Sequence, residues 1–371
     1  MKLFINVGDA SADIYGAQII RELKKLEPDI EIHANGGKLM QEAGAKLFCN
    51  LVEFSVIGIS EVIKKYFPLM KILKDTAKYI KDNNIRTVVL VDYPGFNLRL
   101  AKILKKDGGK VIYYILPQVW AWNEGRIKTI KKVVDQAIVL FPFEKAIYEK
   151  VNVPVEYFGH PLFEAAKPSK TKKELRAEFK LPEGKTVVGL FPGSRRQEIE
   201  TLLPEMVKLT QNYKNVEYIL CRAPVVLPEL IKKHLGDISI KIIDGRAYDV
   251  MEACDIAVFA SGTVTLEGAL MKKPMVIVYR LSKLTEFVFR LLAKVKFATL
   301  PNIIAGKQVV TELIQERANA KEIEIELRKL IENPAEKEKM LLELQKISDS
   351  LKGVNIMSKT AEKILKCAKL S

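Results

Sequence analysis

No run of apolar residues in the chain approaches the roughly 18 that a membrane-spanning helix needs, which excludes a helical membrane bundle. Cys49, Cys221, Cys254 and Cys367 never fall at C-x-x-C spacing, so buried thiols are expected rather than disulfides or a zinc site. His33, His160 and His234 are too few and too dispersed for a metal centre, and no metal or other cofactor is expected. The G-x-G-x-x-G fingerprint is missing, which disfavours a nicotinamide dehydrogenase. Repeats and low-complexity tracts are absent as well. The first residues, M-K-L-F-I-N-V-G-D, read as a strand and not as a signal peptide, so the expectation is a cytoplasmic protein.

What the chain has in excess is positive charge. Sixty Lys and Arg against 45 Asp and Glu leave a net charge of +15, so an acidic partner is expected: nucleic acid, an anionic membrane or a phosphorylated substrate. At 371 residues, 48% of them hydrophobic, the chain is long enough for two core-bearing domains.

Residues 256–279, I-A-V-F-A-S-G-T-V-T-L-E-G-A-L-M-K-K-P-M-V-I-V-Y, carry the sharpest local signal. An apolar run stops at Ser261-Gly262-Thr263, a helical pattern follows, and Lys272-Lys273-Pro274 ends it, giving strand, turn, helix, strand. Such a turn aims the free N–H groups of a helix start beyond the strand end, where a phosphate fits. Glu267, about one turn into that helix, is placed to reach a ribose hydroxyl pair; a plain cap with a solvated Glu is the alternative.

The N-terminal half repeats this unit. A strand over 2–7 runs into Gly8-Asp9-Ala10-Ser11-Ala12-Asp13, with a helix expected from Ile14. Further strands are expected over 31–34, 87–91, 111–115 and 137–141, separated by helical segments, so the domain is read as a parallel sheet with helices on both faces. Ligands bind such sheets beyond the carboxyl ends of the strands. Asp92, in the loop D-Y-P-G-F-N after the most apolar strand, is placed to deprotonate a substrate hydroxyl, or else it caps a turn. The loop P-Q-V-W-A-W holds both tryptophans, Trp120 and Trp122, with Gln118 before them and Arg126, Lys128, Lys131 and Lys132 after; it is either core or the apolar wall of a ligand site. Across 54–73, Val56, Ile57, Ile63 and Phe67 are among the large apolar residues that alternate with lysines, a texture shared by interfacial helices and by ordinary amphipathic core helices.

A polar run at 167–173 marks the boundary, giving domains at 1–165 and 166–345 and a C-terminal helical segment at 346–371 that packs back on the first domain or on a partner subunit. The second half opens with a strand over 186–191 and the loop Pro192-Gly193-Ser194-Arg195-Arg196. Structural helices put acids in the first turn, so arginines there imply an anion between them and the helix dipole, and Arg195 is suited to clamp a diphosphate bidentately. Strands are expected over 218–221 and 238–242, a second basic and apolar segment lies at 287–297, and Asn302 sits in a breaker-rich loop. Two parallel-sheet, Rossmann-like domains with anion loops in the second describe an α/β glycosyltransferase of the two-Rossmann-domain (GT-B) type with C-terminal helices. The lack of D-x-D agrees, since a helix start and Arg195 can neutralise a departing diphosphate.

The motifs G-D-A-S-A-D, V-D-Y-P-G-F-N-L-R-L-A, P-Q-V-W-A-W, L-F-P-F-E-K, F-G-H-P-L, F-P-G-S-R-R-Q-E-I, A-S-G-T-V-T-L-E and L-P-N-I-I-A-G, in this order over nearly the whole chain, resemble the lipid-A-disaccharide synthase family. The resemblance implies metal-independent, inverting transfer of diacylglucosamine from its UDP ester to the 6-hydroxyl of diacylglucosamine 1-phosphate. It implies Asp92 as general base, Asp9, Arg195 and Asn302 as further catalytic residues, and Gly193, Ser194, Arg195, Ser261, Gly262, Thr263 and Glu267 around UDP. It assigns Ser11, Gln118, Trp120, Trp122, Arg126, Val56, Ile57, Ile63 and Phe67 to the acceptor and its acyl chains. Asp9 stands where the family usually has Glu, Ala12 where it has Gly, and Gly95 replaces a frequent second Asp. Acylated substrates imply peripheral attachment to the phospholipid of the inner membrane, and the family permits a homodimer exchanging C-terminal helices. The rival enzymes are a UDP-N-acetylglucosamine 2-epimerase and a transferase with a soluble acceptor. A nucleic-acid partner is not expected, because no clustered aromatic and basic recognition element is present.

Overall fold

The computed structural model describes residues 1–55, 59–120, 125–280 and 296–370, without the side chains of 55 and 59–65. Val56, Ile57, Trp122 and most of the 287–297 segment therefore lie outside the described residues, as does the side chain of Ile63. By packing, the chain forms two compact units, Met1–Pro161 with Gly353–Ser371, and Leu162–Lys352.

The first unit is a seven-stranded sheet built from β1 (Lys2–Asn6), β2 (Glu31–Gly36), β3 (Lys46–Asn50), β4 (Thr87–Val91), β5 (Lys110–Tyr114), β6 (Gln136–Val139) and β7 (Val155–Tyr157). Its order is β3-β2-β1-β4-β5-β6-β7, with every neighbour parallel. The second unit has β8 (Val187–Phe191), β9 (Glu217–Arg222), β10 (Lys241–Asp244), β11 (Ile256–Ala260), β12 (Met275–Tyr279) and β13 (Thr311–Ile314) in the order β10-β9-β8-β11-β12-β13, again all parallel. Central strands such as T-V-V-L-V in β4 and I-A-V-F-A in β11 are buried along their whole length, because helices cover both faces.

The edges depart from expectation. β3, β7 and β13 carry no uninterrupted apolar run and were not anticipated, and the strand expected over 238–242 lies at Lys241–Asp244 in β10. All four are outermost strands, half-exposed, so the buried-run signal is lost there. The first helix also starts earlier than the expected Ile14, spanning Ala10–Leu26, because the Asp9 carboxylate caps it by accepting from the Ala12 N–H at 2.9 Å. Asp13 is turned away from the loop and buried; it accepts from the Gly37 N–H at 2.8 Å and the Leu39 N–H at 3.1 Å, capping the Lys38–Glu42 helix.

The chain returns to the first unit at its end. The Ile356–Lys369 helix lays Ala361, Ile364 and Cys367 into the core beside Ile19, Ile20 and Leu23 of the Ala10–Leu26 helix. Lys363 pairs with Glu156 at 2.7 Å and Lys369 with Glu27 at 2.9 Å. The preceding Pro334–Ser350 helix belongs to the second unit, so the packing boundary falls at 352/353 and not at 345/346. Among the described residues no helix is long and apolar enough to cross a membrane.

Candidate active site

In a parallel sheet the crevice opens where the strand order reverses, because the loops on either side leave in opposite directions. The reversal lies between β1 and β4 in the first unit and between β8 and β11 in the second. The loops that flank these two points carry Asp9 and Asp92 in one case, and Ser194 and Ser261 in the other.

In the first crevice Asp92 and Tyr93 are consecutive residues with φ of 47° and 46°, a left-handed pair that costs on the order of 1–3 kcal/mol per residue. Their surroundings fix them there. The Asp92 carbonyl accepts from Asn97 Nδ2 at 2.6 Å and from the Tyr113 hydroxyl at 2.7 Å, while its N–H donates to the Tyr114 carbonyl at 3.1 Å. Asn97 is held in turn by Asn6, Asn6 by Asn35, and Asn35 by Thr76, a buried polar chain running under the sheet switch. The Tyr93 ring lies over Gly8, where a Cβ would sit 2.2 Å from the ring, so the loops after β1 and β4 meet only because residue 8 has no side chain. Burial, with the Asp9 charge adding to it, pushes the Asp92 carboxyl up from 3.8 to about 6. A half-buried carboxylate that ionises near neutrality is suited to take a proton from a hydroxyl.

Ser11 is exposed and donates to Asp9 Oδ1 at 2.6 Å. Gln118 is exposed and Trp120 half-buried, its indole N–H on Glu144 at 3.1 Å and its ring edge-to-face with Phe143. Arg126 is half-buried, and its charge acts on Tyr113, the residue that braces Asp92. Phe67 is 79% exposed on the Ile59–Asp82 helix, whose later turns bury Leu73, Thr76 and Ile80 in the core. That helix is thus core over its second half and carries the exposed rings of Tyr66 and Phe67 before it.

The second crevice is a cavity of about 330 Å³, and Gly193, Ser194, Arg195, Ser261, Gly262, Thr263 and Glu267 all line it. Ala223, Pro224 and Gly245, from the loops after β9 and β10, and Ala247, at the start of the next helix, also line it. Sequence reading missed these four because the short segments after β9 and β10 carry no distinctive pattern. Glu267 accepts from the Tyr248 hydroxyl at 2.8 Å, and burial raises its carboxyl above the usual range against the pull of that bond.

The expected free amides at Ser194 and Arg195 are already engaged. Glu198 Oε2 accepts from the Ser194 N–H at 2.9 Å and the Arg195 N–H at 3.1 Å, and Oε1 accepts from Arg195 Nη1 at 3.1 Å. Within the chain, the arginine at the helix start is thus paired with Glu198, three residues on, at capping-box spacing, while the Arg195 side chain stays largely exposed in the cavity wall. Gly193, at φ 106°, is required here, since a Cβ would lie 2.3 Å from Glu198 Oε2. Asn302 is fully buried, and both ends of its amide are used within the fold: Nδ2 donates to the Val310 carbonyl and Glu312, Oδ1 accepts from the Val309 and Val310 N–H groups. It ties the Leu300–Ala305 helix to the start of β13.

The chain is similar to the lipid-A-disaccharide synthase of Geobacter sulfurreducens, 40% identical over 356 residues that cover 94% of this chain and 93% of the relative. It is similar to that of Coxiella burnetii, 42% identical over 330 residues and 88% of each chain. Among solved structures, the fold matches UDP-GlcNAc 2-epimerase from Neisseria meningitidis bound to UDP-GlcNAc, with a TM-score of 0.63 at 15% identity over 99% of this chain and 100% of that one. It also matches Anabaena Alr3699/HepE in complex with UDP and glucose, with a TM-score of 0.54 at 14% identity over 98% and 99%. These neighbours share the fold of two parallel-sheet domains. Residues 3–366 match the family described as Lipid-A-disaccharide synthetase, and the chain belongs to that family of glycosyltransferases of lipid A biosynthesis.

Proposed function

We infer that the chain transfers 2,3-diacylglucosamine from its UDP ester to the 6-hydroxyl of 2,3-diacylglucosamine 1-phosphate, giving the β-1,6 disaccharide 1-phosphate and UDP. The observation that carries this reading is the Asp92 carboxyl, held at a sheet switch point in a backbone conformation that its neighbours enforce. Asp92 takes the proton of the acceptor hydroxyl. The oxygen then attacks the anomeric carbon opposite the UDP oxygen, the glycosidic bond to UDP breaks, and the configuration inverts. UDP occupies the second-unit cavity with its ribose on Glu267 and its diphosphate at the Thr263 helix start beside Arg195, whose guanidinium neutralises the charge that grows on the leaving group. Asp9 tunes the base through its charge, and Asn302 is a positioning residue for the Leu300–Ala305 helix that carries it. Ser11, Gln118, Trp120 and Arg126 face the acceptor.

Both substrates are acylated, so the exposed Tyr66 and Phe67 and the basic surface hold the enzyme on the cytoplasmic face of the inner membrane. Each Lys or Arg near an anionic surface contributes about 1 kcal/mol, which salt screens. Cosedimentation with anionic vesicles that does not weaken in high salt would rule this out. Light scattering measures whether the chain forms a homodimer.

The reaction is tested by mass spectrometry of the products formed from UDP-2,3-diacylglucosamine and 2,3-diacylglucosamine 1-phosphate in excess chelator. Equal amounts of disaccharide 1-phosphate and UDP are expected. Turnover of a non-acylated UDP-sugar instead would replace the assignment with a soluble-substrate enzyme.

A further inference from the structure

The Pro142–Glu149 helix carries two buried polar side chains that the reaction does not use, Glu144 and Tyr148, four residues apart and so on one face. Both end on the same short loop. The Tyr148 hydroxyl donates to the Pro117 carbonyl at 3.3 Å, and Glu144 Oε1 accepts from the Trp120 indole N–H at 3.1 Å. Gln118, between the two anchor points, is exposed, and the Trp120 ring packs edge-to-face on Phe143 at 5.3 Å. Glu144 Oε2 accepts from the Phe141 N–H at 3.1 Å, which on its own is a helix cap. A cap alone does not require a carboxylate that is only 3% exposed, since burying that charge is costly and a glutamine at this position caps as well. The second oxygen, on the only polar atom of Trp120, is the part a cap leaves unexplained.

We propose that Glu144 and Tyr148 clamp the Pro117–Trp120 loop at its two ends and are thereby positioning residues for the lipid acceptor. The acceptor half of this statement rests on the reading of that loop given above. The chemistry selects a carboxylate at 144. The partners of Glu144, the Trp120 indole and the backbone at Phe141 and Leu140, are N–H donors, so the side chain must accept on both oxygens. A glutamine, or a protonated glutamate, turns a donor toward one of them and leaves one N–H without its bond. Burial pushes the Glu144 carboxyl up from 4.5 to about 7, so the clamp is charged and closed above neutrality and loosens as the pH falls through about 7. The groups that face Glu144 do not titrate in that window. Burial and the Glu144 charge raise the Tyr148 and Tyr157 hydroxyls far above neutrality, and burial holds the His160 imidazole down at about 4.

Because the chain has two tryptophans, the Trp122→Phe background reports Trp120 fluorescence alone. In that background the Trp120 emission maximum is expected to move with pH around about 7, and the Glu144→Gln variant should hold it at the low-pH value throughout. In the full-length enzyme Glu144→Gln should raise the acceptor KM by roughly three- to tenfold and leave the donor KM unchanged. Tyr148→Phe, a milder change at the other anchor, should raise the acceptor KM in the same direction without removing the titration. A Trp120 emission that ignores both pH and Glu144→Gln overturns the clamp. A moved emission with an unchanged acceptor KM in both variants overturns its role toward the acceptor. Failure of the wild-type protein to make any disaccharide, with the fluorescence titration intact, overturns the reaction assignment and the acceptor role together and leaves the clamp standing.

Discussion

Replacing Asp9 by Asn removes a charge beside the proposed base and almost nothing else. The Asn side chain keeps an oxygen where Asp9 Oδ1 accepts from the Ala12 N–H and Ser11 Oγ, so the helix cap survives. Asp92 is raised from 3.8 to about 6 first by burial and second by Asp9. Without that neighbouring charge, the acid limb of kcat/KM should fall by about one pH unit, equivalent to ~1.4 kcal/mol. The ionised fraction of Asp92 at pH 5 then grows, and the variant should run roughly fivefold faster than wild type there while matching it at pH 8. A pH-rate profile with saturating donor and subsaturating acceptor reads this directly. An acid limb that stays at about 6 in Asp9→Asn refutes either the electrostatic link between the two carboxylates or the role of Asp92 as base. The companion variant separates the two. Asp92→Asn should lower the rate by roughly 10²- to 10⁴-fold and abolish the limb, and near-full turnover would end the assignment. Loss of fold is not the expected cause: a buried acid with a raised pKa favours the folded state at low pH and costs stability once ionised. Asp92→Asn should therefore be more stable than wild type above about pH 6, by about 3 kcal/mol, with the gain vanishing below 3.8.

Gly8→Ala should collapse the first crevice, because the new methyl meets the Tyr93 ring; a loss of about 1–3 kcal/mol in urea unfolding and a large fall in turnover are expected, and wild-type values would show that Tyr93 does not need that contact. Glu267→Ala should raise the UDP dissociation constant by roughly ten- to hundredfold in calorimetry, and an unchanged constant would remove Glu267 from the nucleotide. Glu198→Ala frees the Ser194 and Arg195 amides and should lower stability by about 1 kcal/mol in denaturant titration; no change would mean that the cap contributes nothing.

Much of the architecture was legible because central strands of a parallel sheet write their burial into the sequence. T-V-V-L-V and I-A-V-F-A could be nothing but buried strands once turn residues bounded them. β3, β7, β10 and β13 were missed or displaced for the converse reason, since an outer strand covered on one side mixes polar and apolar residues freely. The Ser194 and Ser261 loops were singled out by a sound rule applied one step short. Cations at a helix start do imply an anion, yet Glu198 at capping-box spacing was available to supply it locally. Asn302 was legible as a special residue but not as one spent within its own fold, because its partners Val310 and Glu312 approach only after β13 has joined the sheet. Glu144 left a weaker trace still: a lone Glu after F-P-F looks like any helix cap until the indole of Trp120 arrives from a distant loop.

The return of the Ile356–Lys369 helix to the first unit gives the chain a fixed order of completion during synthesis. The second unit is one continuous stretch, Leu162–Lys352, and the residues that complete the first unit, 353–371, are made after all of it. The first unit is made first and finished last. Until the final helix emerges, the apolar face of the Ala10–Leu26 helix that receives Ala361 and Ile364 stands uncovered. Removal of the Ile356–Lys369 helix should therefore injure the unit that was translated earliest.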